Sequence, residues 1–253
     1  MNDTNDSEPK TAPPKPRAET IRSEITRLPE LTASRWRFRK FFSWSLRQLA
    51  RIFIQLELSG LENVPNTGPA IVVSNHLGDI DPLLGWAFSP RLDIDVILKA
   101  ELHDIPILGQ LMNSYGVIWV HRGQPDRNTI RAAIQGLSVG RMIGIAPEGR
   151  ESLIGGLEEG THGAAYLALK ADVPLVPITF TCTENARVYK NLIRFRRTKV
   201  TMTIGPMFRL DIGENRRAAI DAGTLKIMLT LAHQLPMEYR GVYSDQTEQM
   251  NGS

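Results

Sequence analysis

Short apolar runs and amphipathic stretches take turns along most of this chain, and that alternation limits its fold more than any other feature. Apolar runs at 70–74, 94–98, 117–120, 142–146, 175–180 and 200–204 read as strands. Helical patterns lie between them near 82–89, 106–114, 127–139 and 162–172. A last one, over about 216–235, carries Ile220, Ile227, Met228, Leu231 and Leu235 on one face. Such alternation predicts an α/β fold in which helices flank a sheet. The pairing order of the strands is not encoded in the pattern. A chain of 253 residues buries one sizeable core, so the expectation is a single domain, here 57–236, with flanking segments.

Those flanks differ in character. Residues 1–33 are polar and proline-rich (Pro9, Pro13, Pro14, Pro16) and read as a disordered tail without a secretory signal. Residues 237–253 read as a polar C-terminal tail. Over 34–56, Phe38, Phe41, Phe42, Leu49, Ile52, Phe53 and Leu56 recur near helical spacing, joined by Trp36 and Trp44 and interleaved with arginines. That composition suits an amphipathic helix lying in a membrane interface, its aromatic side toward lipid and its cations toward phosphates. The alternative is a helix packed on the domain with its arginines in solvent. No run of eighteen uncharged apolar residues occurs, so the expected location is peripheral, on the cytoplasmic face of a membrane.

Net charge is only +3, but the cations cluster. Arg35, Arg37, Arg39, Lys40, Arg47 and Arg51 crowd one segment, and Arg187, Lys190, Arg194, Arg196, Arg197 and Lys199 another. Basic clusters suit anionic membranes, phosphorylated substrates or nucleic acid, although a solvated face is their commonest explanation. No nucleic-acid-binding signature supports the last partner. The single Cys182 excludes an internal disulfide framework, and no paired-cysteine or His-Glu-x-x-His pattern points to a metal.

The chemistry concentrates in Asn75-His-Leu-Gly-Asp-Ile-Asp81, directly after the strand at 70–74. Imidazole is the side chain best poised to take a proton near neutral pH. A carboxylate on one ring nitrogen fixes the tautomer and leaves the other nitrogen as base. Five residues is an awkward helical interval, so Gly78 must loosen a strand-to-helix turn to join the pair. The bland alternative makes Asp81 a helix N-cap ahead of Pro82 and His76 a satisfied core histidine. Cys182 is expected to be buried rather than reactive.

Three further segments follow in order: Gly116-Val-Ile-Trp-Val-His-Arg122, Ala146-Pro-Glu-Gly-Arg-Glu-Ser152 and Val173-Pro-Leu-Val-Pro-Ile178. With the His-x4-Asp box they resemble the four blocks of the glycerolipid acyltransferase family, whose best-known members are 1-acylglycerol-3-phosphate acyltransferases. The stretch Lys99-Ala-Glu-Leu-His-Asp-Ile-Pro-Ile-Leu-Gly109 is similar to that family as well. The resemblance covers roughly 56–210 and implies a mixed central sheet with a cleft above it. It also implies that His76 and Asp81 are catalytic and that Arg122 binds the acceptor.

Acyl transfer from a thioester to an alcohol needs a base for the hydroxyl and grips for both substrates. His76 is expected to be that base, Asp81 to steer it, and Arg122 to hold phosphate through its planar fork. Lys99 is a second phosphate candidate. Gly149 is expected to shape a turn presenting Glu148, which holds Arg122 or a substrate hydroxyl or else stabilises the loop. Asn75 and Arg150 complete the expected substrate-binding set. Two departures matter: the third block has Ala146 for the usual phenylalanine, and Arg150-Glu151 where the family has threonine and arginine. His121 stands where the second block commonly has aspartate. Expected partners are an acyl-CoA or acyl-carrier-protein donor, a lysophospholipid acceptor and a membrane surface, with no other cofactor. The competing expectations are a thioester or ester hydrolase using the same dyad, and a non-catalytic lipid-binding protein.

Overall fold

The computed structural model describes residues 25–121, 127–213 and 215–251. Seven strands form one mixed sheet: β1 (Ile54–Ser59), β2 (Ala70–Ser74), β3 (Ile94–Lys99), β4 (Ile118–Val120), β5 (Met142–Ile145), β6 (Leu175–Thr181) and β7 (Thr198–Ile204). Their order across the sheet is β1-β7-β6-β2-β5-β3-β4. The five from β6 to β4 run parallel, and β7 runs antiparallel to β6 with β1 parallel to β7. Strands that are apolar throughout demand cover on both faces. One face is packed by α1 (Ala33–Phe53), α2 (Ile80–Phe88) and α3 (Pro106–Tyr115), the other by α4 (Arg127–Ser138), α5 (Gly163–Ala171) and α7 (Arg216–Gln234).

The six expected strands and five expected core helices are all present, with ends shifted by a few residues. Four features differ. The helix expected over 34–56 stops at Phe53, because Ile54-Gln-Leu-Glu-Leu-Ser59 alternates with period two and pairs as β1 with β7. A further helix, α6 (Asn185–Ile193), joins β6 to β7. The C-terminal segment is not a free tail: it folds through two short 3₁₀ turns into α8 (Ser244–Asn251). Tyr239 and Tyr243 enter the core there, and the main chain of 239–242 bonds to Leu157. Finally, residues 25–32 lie against the body, where Thr26 is buried and the Pro29 carbonyl accepts from Arg141. The rest of the expected N-terminal tail lies outside the described residues.

Topology decides where a site can form. The parallel strands all deliver their C-terminal ends to one edge of the sheet, the edge at which open α/β sheets bind ligands. The antiparallel register of β7 puts its first residues at that same edge, and Ile54 of β1 pairs with Thr198 there. The C-terminal end of α1 therefore also reaches the active edge.

Candidate active site

His76 lies two residues beyond β2, and Asp81 lies in the first turn of α2. The structure brings them together: His76 Nδ1 is 3.1 Å from Asp81 Oδ2. The same oxygen accepts from the backbone N–H groups of Leu77 (2.7 Å) and Gly78 (2.9 Å). Asp81 thus turns back into the preceding loop instead of capping α2, whose N-cap position is Asp79. An oxygen already taking two N–H donors serves as an acceptor, so Nδ1 carries the ring proton and Nε2 is the basic nitrogen. Gly78 permits the turn by close approach: a Cβ there would sit 2.3 Å from the Thr183 carbonyl oxygen.

The third block clamps this histidine through main chain. Glu148 is buried, with Oε1 accepting from His76 N–H (3.1 Å) and Oε2 from Glu158 N–H (2.8 Å). The Ser152 N–H donates to the His76 carbonyl at 2.7 Å. Both Glu148 oxygens thus tie loop segments together around His76. Burial pushes its carboxyl up to about 7, against the pull of those two backbone N–H groups. Gly149 takes φ +74° in the turn closed by its own N–H on Ala146, a conformation that favours glycine.

Several expected contact residues are engaged elsewhere. Asn75 is buried and spends its amide on β6, donating to the Phe180 carbonyl (2.9 Å) and accepting from Phe180 N–H (2.8 Å). Its role is to tie two strand ends together. Arg150 pairs with Glu158. Lys99 ends β3, two strands from β2, so about 10 Å of sheet separates their strands. Arg122 lies outside the described residues. Cys182 is half-buried, with its sulfur accepting from the Tyr239 hydroxyl at 3.5 Å.

Motif and spacing alone miss an acidic rim. Tyr189 of α6 donates its hydroxyl to Asp79 (2.6 Å). Asn185 accepts from Asp79 N–H (2.9 Å) and donates to Glu151 (3.0 Å). Burial and the neighbouring Asp79 carboxylate hold Glu151 above its ordinary range. Burial by itself would depress the His76 imidazole, but its bond to Asp81 and the charges of Asp81, Glu151 and Glu148 outweigh that and raise its pKa. The one signal in the sequence is positional: Asn185 closely follows the C-terminal end of β6, at the same sheet edge as His76.

A groove of about 680 Å³ opens at the ends of β3, β4 and β5, floored by Ile97, Val120 and Ile145. Tyr166, Leu167 and Ile220 form its apolar walls. At its rim, His162 meets Asp221 at 3.1 Å, a partner for His162 that the sequence did not reveal.

A mixed α/β sheet carrying a His-Asp pair at its C-terminal edge has the groups that a base-assisted transfer or hydrolytic site needs. The Gly-x-Ser-x-Gly match in the sequence, Gly136 to Gly140, does not form a strand-to-helix elbow: Ser138 ends α4 and donates to the Gln135 carbonyl at 2.9 Å. Residues 55–181 match the family model described as Acyltransferase, and the chain belongs to that family. It is 30% identical over 143 residues to a 1-acyl-sn-glycerol-3-phosphate acyltransferase of Borreliella burgdorferi, covering 55% of this chain and 56% of that one. A chloroplastic 1-acyl-sn-glycerol-3-phosphate acyltransferase of Arabidopsis thaliana is 33% identical over 154 residues, covering 57% and 42%. The chain thus spans about half the length of these curated relatives. The crystal structure of PlsC, the 1-acyl-sn-glycerophosphate acyltransferase of Thermotoga maritima, shares the fold. Its TM-score is 0.57 and its identity 20%, over 80% of this chain and 84% of that one.

Proposed function

We propose that this protein is an O-acyltransferase that moves a fatty acyl group from acyl-CoA or acyl-carrier protein to the hydroxyl of a lysophospholipid. The acceptor named for its relatives, 1-acylglycerol-3-phosphate, is the first candidate. The His76–Asp81 pair carries this reading. Nε2 takes the acceptor's proton as its oxygen attacks the thioester carbonyl. The tetrahedral intermediate then collapses, the C–S bond breaks, and the imidazolium returns the proton to the leaving thiolate. No acyl-enzyme is required. Asp81 steadies the imidazolium, and Glu148 and Ser152 hold the histidine main chain from both sides. The groove beside β5 suits the acyl chain, since Ile145 on its floor pairs with Val73, three residues before His76.

The rim supports a second acceptor reading. Asp79 and Glu151 put negative charge beside His76, and Arg150 is already paired with Glu158, so a lysolipid lacking a phosphate monoester is the alternative acceptor. A panel of lysolipids with one long-chain thioester donor separates the two, with acceptor-dependent thiol release as the signal. Thiol release at the same rate without any acceptor would instead establish a hydrolase, and none under any condition would leave the lipid-binding alternative.

The charges around His76 predict a pH profile. The base works only when neutral, so activity falls as pH drops through its raised pKa. The acid limb of kcat/KM is expected above the ordinary histidine value of about 6.5. Glu151→Gln removes one of the charges raising that pKa while keeping an oxygen for Asn185, and should move the limb to lower pH. A limb at or below about 6.5 in the parent, or one unmoved by the substitution, removes His76 as the titrating base.

A further inference from the structure

The acyl-transfer chemistry leaves the second basic cluster unused. Residues 185–200 contain Arg187, Lys190, Arg194, Arg196, Arg197 and Lys199 and no carboxylate. Two of these cations are engaged: Arg187 pairs with Glu184 at 3.0 Å, and Arg197 donates from Nε to the Ile54 carbonyl at 3.1 Å. The other four are exposed and make no ion pair among the described residues.

Apolar side chains stand among them. In α6 only Val188 is buried, while Ile193 is 78% and Phe195 91% exposed. Phe195 has φ +52°, an outlying conformation for a bulky residue. Its N–H bonds to the Leu192 carbonyl (3.1 Å), and the next N–H bonds to Asn191 (2.9 Å). The phenyl ring is therefore held outward by a closed turn.

This tip is joined both to α1 and to the active edge. The Arg197 bond and the Ile54–Thr198 pairing fasten it where α1 gives way to β1. On α1 itself Phe41, Trp44, Leu49 and Ile52 are more than half exposed. At the other end of α6, Asn185 and Tyr189 hold Asp79, three residues from His76.

We propose that the α6–β7 tip is a second membrane-docking element, in which Ile193 and Phe195 enter an anionic phospholipid surface while Lys190, Arg194, Arg196 and Lys199 face its phosphates. Apolar residues flanked by uncompensated cations are the composition of an interfacial wedge. An acidic carrier protein would satisfy the charges equally well. The bilayer is favoured because the neighbouring exposed side of α1 is aromatic and aliphatic, so one lipid surface serves both elements. The inference goes beyond the acyl-transfer reading, and its readout needs no catalysis.

The test is co-sedimentation of the full chain with vesicles of phosphatidylcholine alone and of two parts phosphatidylcholine to one part phosphatidylglycerol. Binding is expected only, or far more strongly, with the anionic vesicles. Ile193→Ser with Phe195→Ser should weaken it at least about tenfold. Arg194→Gln and Arg196→Gln should each weaken it roughly fivefold, with a shallower salt dependence. Circular dichroism and transfer from a water-soluble short-chain thioester to a soluble acceptor should be unchanged in all of them. Vesicle binding that is absent in the parent chain, or unaltered by the serine pair, overturns the proposal. So does arginine substitution that spares vesicle binding but abolishes binding of purified acyl-carrier protein, which would make the tip a carrier dock. If acyl transfer itself fails while vesicle binding follows the expected pattern, the docking element stands without the enzymatic reading.

Discussion

Replacing His76 with alanine is expected to lower acyl transfer about a thousandfold while leaving the fold intact. A positioned general base contributes on the order of 10²–10⁴ in rate. The imidazole is partly exposed and its ring bonds to Asp81 at the sheet edge, so its loss opens no core cavity. The main-chain bonds from Glu148 and Ser152 survive the substitution because they use the backbone of residue 76. Asp81→Asn should cost a comparable factor by a different route. An amide oxygen in the Oδ2 position can still take the Leu77 and Gly78 N–H groups and Nδ1–H, but asparagine lacks the negative charge that steadies the imidazolium as the proton is taken. Steady-state rates, measured beside circular dichroism and a melting curve, separate lost chemistry from lost structure. A folded His76→Ala protein with transfer within about tenfold of the parent would falsify the base assignment.

The dyad and the core are legible in the sequence for a simple reason: both rest on local pattern. A continuous apolar run such as Ala70–Val73 must be buried, and a histidine just beyond it must emerge at the sheet edge. Everything set by distant pairing is hidden. β1 merges with the preceding helix in the pattern because Phe53 and Leu56 fit a helical stripe as well as Leu56 and Leu58 fit a strand. Its partner, β7, lies more than a hundred residues away. Asn75 and Arg150 suit substrate binding by residue type. Their partners within the fold, Phe180 and Glu158, depend on how β6 and the 148–158 loop close over the strand ends. Asp79, Asn185 and Tyr189 form one cluster only because α6 returns across the turn at Gly78. The C-terminal segment is polar by composition, yet Tyr239 and Tyr243 are enough to anchor it. A single buried aromatic outweighs several solvated neighbours in deciding whether a segment packs.

Arg39→Ala is expected to destabilise the protein by about 3–5 kcal/mol, the cost of leaving one partner of a buried ion pair behind. Arg39 and Asp95 are both fully buried, with Nη2 at 2.5 Å from Oδ1. The guanidinium also donates to the carbonyls of Tyr115 (2.8 Å), Leu92 (2.9 Å) and Gly116 (2.8 Å), and lies 4.4 Å over the Tyr115 ring. Alanine removes all of these bonds at once and leaves Asp95 with Arg141, 3.1 Å away, as its remaining cation. For a chain of this size the melting temperature should fall by roughly 10 °C. An Arg39→Ala, Asp95→Ala double variant should lose less than the two single losses combined, because the second substitution removes the carboxylate that the first stranded. Additive losses, or a single-variant cost under about 1 kcal/mol, would show that the pair does not fasten the helix. The consequence reaches beyond stability. A cation expected from the sequence to face lipid or solvent is instead a rivet from α1 into the sheet. With one face bolted to Asp95 and Tyr115, α1 cannot swing away as a loose anchor. Its exposed Phe41, Trp44, Leu49 and Ile52 keep a fixed bearing on the edge that carries His76, so any lipid surface they meet is met by that edge in one orientation.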